Sequence, residues 1–398
     1  MDAADRQTET PVIFRPPEGL RAIISGAGSV GARLAGELEE LGIQRPMIVC
    51  GSQLAKSPVL ANITGAAGRP TSLFAGSRPH TPVGAVDQGR AAAIEHGADG
   101  LIAIGGGSAV DCAKAIAVLA KSGLSSIRDV PTLSSEKTLG GALGGNYAAA
   151  MHVVCIPTTL SMAEFNPFFG VRDPDRASKD PYGDHGLVAR TIFLDGEIAA
   201  HTPAGLWAET GVKAFDDALW RFCSEEAEDP ASDTLLALSI RDLLRLLPRS
   251  SASGDPGSRQ RVFMAAWLSS HPMPRTRPAV RRRWFSMVAR HALGGLLELP
   301  HGIGSCVAVG PGLRYHLEAT RHRQVLLASE LQSGAAVPRD SSLIEIVGRF
   351  IAELAVPASL SQLGVPRTAL GELLDGMLRE APDLGGREQV GQACEQMW

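Results

Sequence analysis

The chain has 398 residues, 44% of them hydrophobic and 20% charged, with a net charge of -4. That is the composition of a globular protein long enough for two full cores, and its charge argues against a general nucleic-acid binder. The opening residues 1–11 are polar and acidic, unlike a signal peptide, and no apolar run reaches the roughly 18 residues of a membrane span, so a cytoplasmic protein is expected. Six cysteines (Cys50, Cys112, Cys155, Cys223, Cys306 and Cys394) lack C-x-x-C spacing, and those in apolar runs fit buried thiols in a reducing compartment, with no zinc pattern.

In chain order, a short strand at 21–25 leads into the glycine-rich turn 26–31 and a helix at 32–41. A second strand spans 46–50. Helical patterns at 54–64 and 86–96 bracket another short strand. The run 100–104 is apolar and ends in Gly105, Gly106, Gly107 and Ser108, followed by an Ala-rich helix at 109–120. Glycines let the backbone approach a ligand closely, and the new helix aims free N–H groups and its positive dipole end there. Such a turn suits a phosphate or pyrophosphate, although a plain tight turn has the same letters.

Strands at 151–156, closed by Pro157-Thr158-Thr159, and at 191–194, ended by Asp195, complete an alternation of strand and helix. Alternation of this kind means βαβ units and a parallel sheet. Beyond about 202 helical periodicity takes over, at 205–223, 230–247, 259–268, 286–297, 324–331, 342–354 and 367–381, with a Ser, Gly and Pro loop at 250–257. The expected architecture is an α/β domain over 1–198 and an all-helical domain over 199–398, a cleft between domains being where ligands favour binding. The basic run 275–283 reads as a solvated loop or helix start, with anion binding the alternative.

Several anchors recur in one order: Gly105-Gly106-Gly107-Ser108 with Asp111; Ile156-Pro157-Thr158-Thr159 with Glu164; Thr210-Gly211-Val212-Lys213-Ala214; His291-Ala292-Leu293-Gly294; and Pro300-His301-Gly302. Together they resemble the iron-containing alcohol dehydrogenase superfamily, which also holds glycerol dehydrogenase, dehydroquinate synthase and maleylacetate reductase. The resemblance spans roughly 15–370, and the stretches 157–170 and 80–82 look most like the maleylacetate reductase branch.

The resemblance implies a dinucleotide site at Gly105, Gly106, Gly107, Ser108 and Asp111, with Thr158 and Thr159 near the phosphates and nicotinamide ribose. The strand that would read the ribose ends in Gly51-Ser52 with no carboxylate, so NADP is admitted as well as NAD, leaning to NADP. Glu164, Phe165, Asn166, Lys179 and Met287 fall where substrate would be met. Phe168 and Phe169 adjoin them, and Tyr182 and Asp195 are peripheral.

The metal positions implied by the resemblance carry the wrong residues. Lys213 replaces an Asp, Asp217 replaces a His and Met287 replaces a His, while His301 remains. An ammonium and a thioether are poor company for iron or zinc. No catalytic metal is expected, and Asp216 alone does not restore a ligand set.

Lys213 and Asp217 share a helix face, as an ordinary ion pair or as a cation set where the metal charge would stand. His291 is placed as a proton shuttle or a structural histidine, and His301 as a group that orients substrate or shares the proton. Arg290 either binds a carboxylate or faces water. Three functions follow: a metal-independent NAD(P)-dependent oxidoreductase acting on a small polar carbonyl, alcohol or activated alkene; a non-redox lyase, isomerase or cyclase on the same fold; and a non-catalytic binding protein. The family resemblance implies a homodimer; a small-molecule substrate is expected, and the net charge and the lack of a long apolar run argue against nucleic-acid and membrane partners.

Overall fold

The computed structural model describes residues 12–14, 19–132, 150–175, 178–183, 187–224, 230–270, 283–333 and 337–398; the acidic start and nearly all of the basic run at 275–283 lie outside them. The strands of the first compact unit are β1 (Val12–Phe14), β2 (Ala22–Ser25), β3 (Pro46–Gly51), β4 (Ser72–Ser77), β5 (Gly100–Gly105), β6 (His152–Pro157), β7 (Phe168–Asp173), β8 (Ser178–Gly183) and β9 (Thr191–Leu194). Seven form one sheet in the order β1-β2-β9-β6-β5-β3-β4. All its neighbours pair in parallel except β1, which runs antiparallel to β2. Every residue of β2, β5 and β9 is buried, as expected for sheet strands covered on both faces.

The crossover helices are α1 (Ser29–Glu40), α2 (Pro58–Ala66), α3 (Val83–Glu95) and α4 (Gly107–Ser122). Ile24, Leu34, Ile48, Ile63, Ile102 and Ile156 pack into one core. The helix expected at 54–64 starts later. Leu54–Lys56 is a single 3₁₀ turn, Ser57 is extended, and α2 begins at Pro58. Proline forces the residue before it out of the helical region and suits the first helical position itself.

The pair β7–β8 was expected as loop and is an antiparallel hairpin. Its inner face is set by Phe169 stacked on Tyr182, with ring centroids 5.2 Å apart and planes at 9°. Gly170 and Pro181, opposite each other in the hairpin, hid the alternation in the sequence.

The expected domain break at 198 falls within a short helix, α5 (Gly196–Ala199). The chain instead divides at Thr202, with residues 255–263 joining the first unit. Polar contacts cause this. Gln260 donates to Ser25 Oγ at 2.7 Å and to the Leu194 carbonyl at 2.9 Å, and accepts from the Gly196 N–H at 2.8 Å. Arg259 donates to the carbonyls of Ala199 and Thr202. Hydrophobic periodicity carries no trace of such bonds.

The second unit is helical: α6 (Ala204–Cys223), α7 (Pro230–Ser253), the later part of α8 (Pro256–Ser270), α9 (Phe285–Leu297), α10 (His301–Tyr315), α11 (Leu317–Ser333), α12 (Leu343–Leu354), α13 (Ala369–Glu380) and α14 (Arg387–Glu395). The loop expected at 250–257 shrinks to Gly254 and Asp255, where Gly254 closes α7 in the left-handed region. Helix α10 went unread because four glycines and a proline weaken its pattern. Two of those glycines are demanded by packing. A Cβ on Gly302 would sit 2.8 Å from the Glu209 carbonyl oxygen, and one on Gly304 2.9 Å from Arg290 Cα. Glycine therefore lets α10 press on α6 and α9 at once. No helix among the described residues is long and apolar enough to cross a membrane.

Candidate active site

In the first unit two glycine-rich turns end parallel strands, and they differ in what meets the helix that follows. At α1 the protein supplies its own anion. Asp195 accepts the backbone N–H of Gly28 at 3.0 Å and of Val30 at 3.0 Å, and also that of Glu197 at 2.9 Å. The residue read as peripheral is therefore a buried double helix cap, and the Gly28 and Val30 donors of the 26–31 turn are engaged by protein.

At α4 the N-cap is Gly106, no side chain caps it, and the first turn holds no acid. Gly105 has φ of +138°, a conformation that favours glycine. A Cβ on Gly106 would meet Thr159 Oγ1 at 3.1 Å, and one on Gly107 would meet Ser161 at 3.3 Å. The Thr158 N–H donates to the Gly105 carbonyl at 2.9 Å, and the Thr158 carbonyl accepts from Thr202 Oγ1 at 2.7 Å. Gly105, Gly106, Gly107, Ser108, Thr158 and Thr159 thus form one cradle of backbone and hydroxyl groups at the carboxyl ends of adjacent β5 and β6. Such a helix start fits a pyrophosphate. Gly51 ends β3 and Ser52 beyond it is exposed.

The flanking residues divide differently from the expectation. Asp111 accepts the Gly170 N–H at 3.3 Å and so ties α4 to the hairpin. Lys114, which the sequence reading left without a role, is fully buried in α4 and donates to the carbonyls of Ala163, Asn166 and Phe168. Burial pushes its pKa down, while Asp111, Cys155 and Glu164 oppose the shift. Glu164 is itself fully buried near that cation. Phe169 is likewise core. Phe165 and Asn166 remain partly exposed, and Lys179 is exposed on β8.

In the second unit, α6, α9 and α10 gather a polar cluster. Lys213 Nζ lies 2.7 Å from Asp217 Oδ2, and Arg290 Nη1 lies 2.7 Å from Asp217 Oδ1. Arg290 also stands 3.5 Å from Asp216, whose carboxylate accepts from Ser286 Oγ at 2.7 Å and Ser305 Oγ at 2.8 Å. Asp216 and Asp217 are buried, and the Lys213 side chain keeps 16% of its surface. The pair is thus not on a solvated face, and Arg290 does not face water. Ser286 and Ser305 were missed. Lone serines give no signal in sequence, and only helix packing brings them to Asp216.

Burial is the largest influence on each of these groups. It lowers the Lys213 pKa against the opposing pull of Asp217, with Arg290 and Arg221 lowering it further. It raises Asp216 to about 6 despite Arg290 and the two serines. For Asp217 burial is overcome by Arg290 first and then Lys213, which hold it far below the usual carboxylate range.

His291, on α9, places Nδ1 2.8 Å from Glu380 Oε1 on α13, and its ring meets His301 edge-on at 5.4 Å between centroids. His301 opens α10, and Met287 is partly buried on α9. These donors do not fit a divalent cation. The positions given to a metal by the resemblance hold an ammonium, a carboxylate already paired with two cations, a thioether and one imidazole. Among the described residues no three His, Cys, Asp or Glu side chains come together as a ligand set.

Residues 21–196 match the model of the family described as iron-containing alcohol dehydrogenase. The lactaldehyde reductase of Escherichia coli K12 is 24% identical over 368 residues, spanning 89% of this chain and 90% of its own. A maleylacetate reductase of Sphingobium indicum is 24% identical, spanning 88% and 86%. Among solved structures, an alcohol dehydrogenase from Oenococcus oeni superposes with a TM-score of 0.81 at 19% identity, over 98% of this chain and all of the other. The maleylacetate reductase of Agrobacterium tumefaciens gives 0.75 at 21%, over 98% and 99%.

Proposed function

We infer that this chain, which matches the iron-containing alcohol dehydrogenase family model over residues 21–196, is a nicotinamide-dependent oxidoreductase of that kind that works without a metal on a small polar carbonyl or alcohol. The observation that carries the metal-free reading is the Lys213–Asp217–Arg290 ion-pair chain standing where the resemblance puts a divalent cation. The cradle at Gly106 and Gly107, with Ser108, Thr158 and Thr159, would hold the pyrophosphate of NADP or NAD. The exposed Ser52, with no carboxylate at the end of β3, favours NADP.

The nicotinamide, when bound, supplies or accepts the hydride. Lys213 donates a hydrogen bond to the substrate oxygen and opposes the negative charge that grows there as a carbonyl is reduced. Its lowered pKa suits it to give up a proton to that oxygen. Asp217 and Arg290 set the direction of the ammonium. His291 and His301 return the proton from solvent, which the partial exposure of both permits.

The test is a fluorescence titration of metal-analysed protein with NADPH and with NADH, followed by a screen of small carbonyl compounds for nicotinamide oxidation. Micromolar binding and carbonyl-dependent turnover at sub-stoichiometric metal are expected. Binding without net oxidation across the screen would favour a lyase or isomerase, and no binding at all would defeat the oxidoreductase reading.

A further inference from the structure

We propose that Glu380 is a positioning residue for the proton path, fixing the His291 imidazole with its proton on Nδ1 and its Nε2 open; this rests on the oxidoreductase reading above. Glu380 is the last residue of α13, far along the chain from His291, and its Oε1 lies 2.8 Å from His291 Nδ1. A carboxylate accepts, so Nδ1 is the donor in this contact. Nε2 is left as the atom that takes or gives a proton in transfer.

Three charged or titratable groups face this imidazole or its partner. Arg283 Nη1 stands 3.7 Å from the same Glu380 oxygen. His301 meets the His291 ring at 90°. Glu380 itself completes the set. The contact is partly exposed, and polar contacts open to water contribute little to stability, so it is better accounted for by orientation than by folding. Carboxylates set behind a histidine are a general means of choosing its tautomer. The sequence could not show this one, because 89 residues separate the two partners.

The experiment is nitrogen-15 NMR of the full chain labelled at histidine, with His291 assigned by its loss in His291→Gln, alongside steady-state kinetics of Glu380→Gln and Glu380→Ala. In the parent protein and in Glu380→Gln, whose amide oxygen still accepts, the His291 proton is expected on Nδ1. In Glu380→Ala it should move largely to Nε2, with kcat down about 10- to 100-fold and KM within about twofold. Glu380→Asp should recover part of kcat. An unchanged tautomer in Glu380→Ala, or a moved tautomer with unchanged kcat, would overturn the proposal. The tautomer is read without turnover. A parent protein inactive on every carbonyl would therefore count against the oxidoreductase reading, while the NMR still decides whether Glu380 holds the ring.

Discussion

Arg290 on α9 grips Asp217 on α6 at 2.7 Å, and both are buried. The same guanidinium stands 3.5 Å from Asp216, so one cation answers two adjacent carboxylates of the helix it packs against. Without Arg290, Asp217 keeps Lys213 alone and Asp216 loses this guanidinium, and an undercompensated buried charge costs more than the pair contributed. Arg290→Met should therefore destabilise the protein by about 3–5 kcal/mol, read as a lower urea midpoint. A loss below about 1 kcal/mol would mean that water already reaches the two carboxylates.

Lys213→Met separates chemistry from folding. Asp217 keeps Arg290, so the urea midpoint should fall less than for Arg290→Met. If Lys213 carries the developing charge on the substrate oxygen, kcat should drop about 10²- to 10³-fold, as for removal of one oxyanion donor. The comparison to make is kcat against midpoint for the two variants. Equal loss of both in each would reduce Lys213 to a structural ion.

The metal-free reading predicts indifference to chelators. Protein dialysed against EDTA and shown to be free of iron and zinc should keep its full turnover, and adding either metal back should not raise it. Loss on dialysis with recovery on re-addition would mean that the cation binds despite Lys213.

The parallel sheet and the helical half were legible because both rest on periodicity and on strand–turn–helix punctuation. The turn at Gly105–Ser108 was legible because consecutive glycines stand between an apolar run and an Ala-rich helix; the letters alone did not separate a cradle from a plain tight turn. Lys213 and Asp217 could be paired by spacing alone, four residues apart on one helix. The contacts of Arg290 with Asp217, of Ser286 and Ser305 with Asp216, and of Glu380 with His291 could not be read, since the partners lie on different helices and polar contacts across helices leave no periodic mark. The burial of Glu164 was not legible either, since the buried Lys114 near it lies on another element. Helix α10 was lost to its own glycines, which weaken helical propensity yet are what packing against Glu209 and Arg290 requires.

Asp195 should matter to folding and not to dinucleotide contact. It accepts the N–H groups of Gly28, Val30 and Glu197, so Asp195→Ala removes the caps of two helices at once. The expected loss is about 2 kcal/mol, at the upper end for a cap. NADPH affinity of the folded variant should stay within about twofold. A larger fall in affinity would place the 26–31 turn in the cofactor site after all.

Asp216 gives the cluster a pH signature with a definite sign. Burial raises its pKa from 3.8 to about 6, so the folded state holds this proton more tightly than the unfolded chain does. Its contribution to stability is therefore complete below 3.8 and is lost as pH rises through 6, by about 3 kcal/mol for a shift of roughly two units. Asp217 runs the other way. Its pKa is depressed, so its contribution is present above 3.8 and is lost only as pH falls below that. Between pH 5 and 7.5 Asp217 stays ionised, and the change belongs to Asp216. Urea midpoints of the parent protein should fall across that range relative to Asp216→Asn, whose amide cannot ionise. Parallel midpoint curves for the two proteins would show that Asp216 is ionised throughout, with Arg290, Ser286 and Ser305 outweighing its burial.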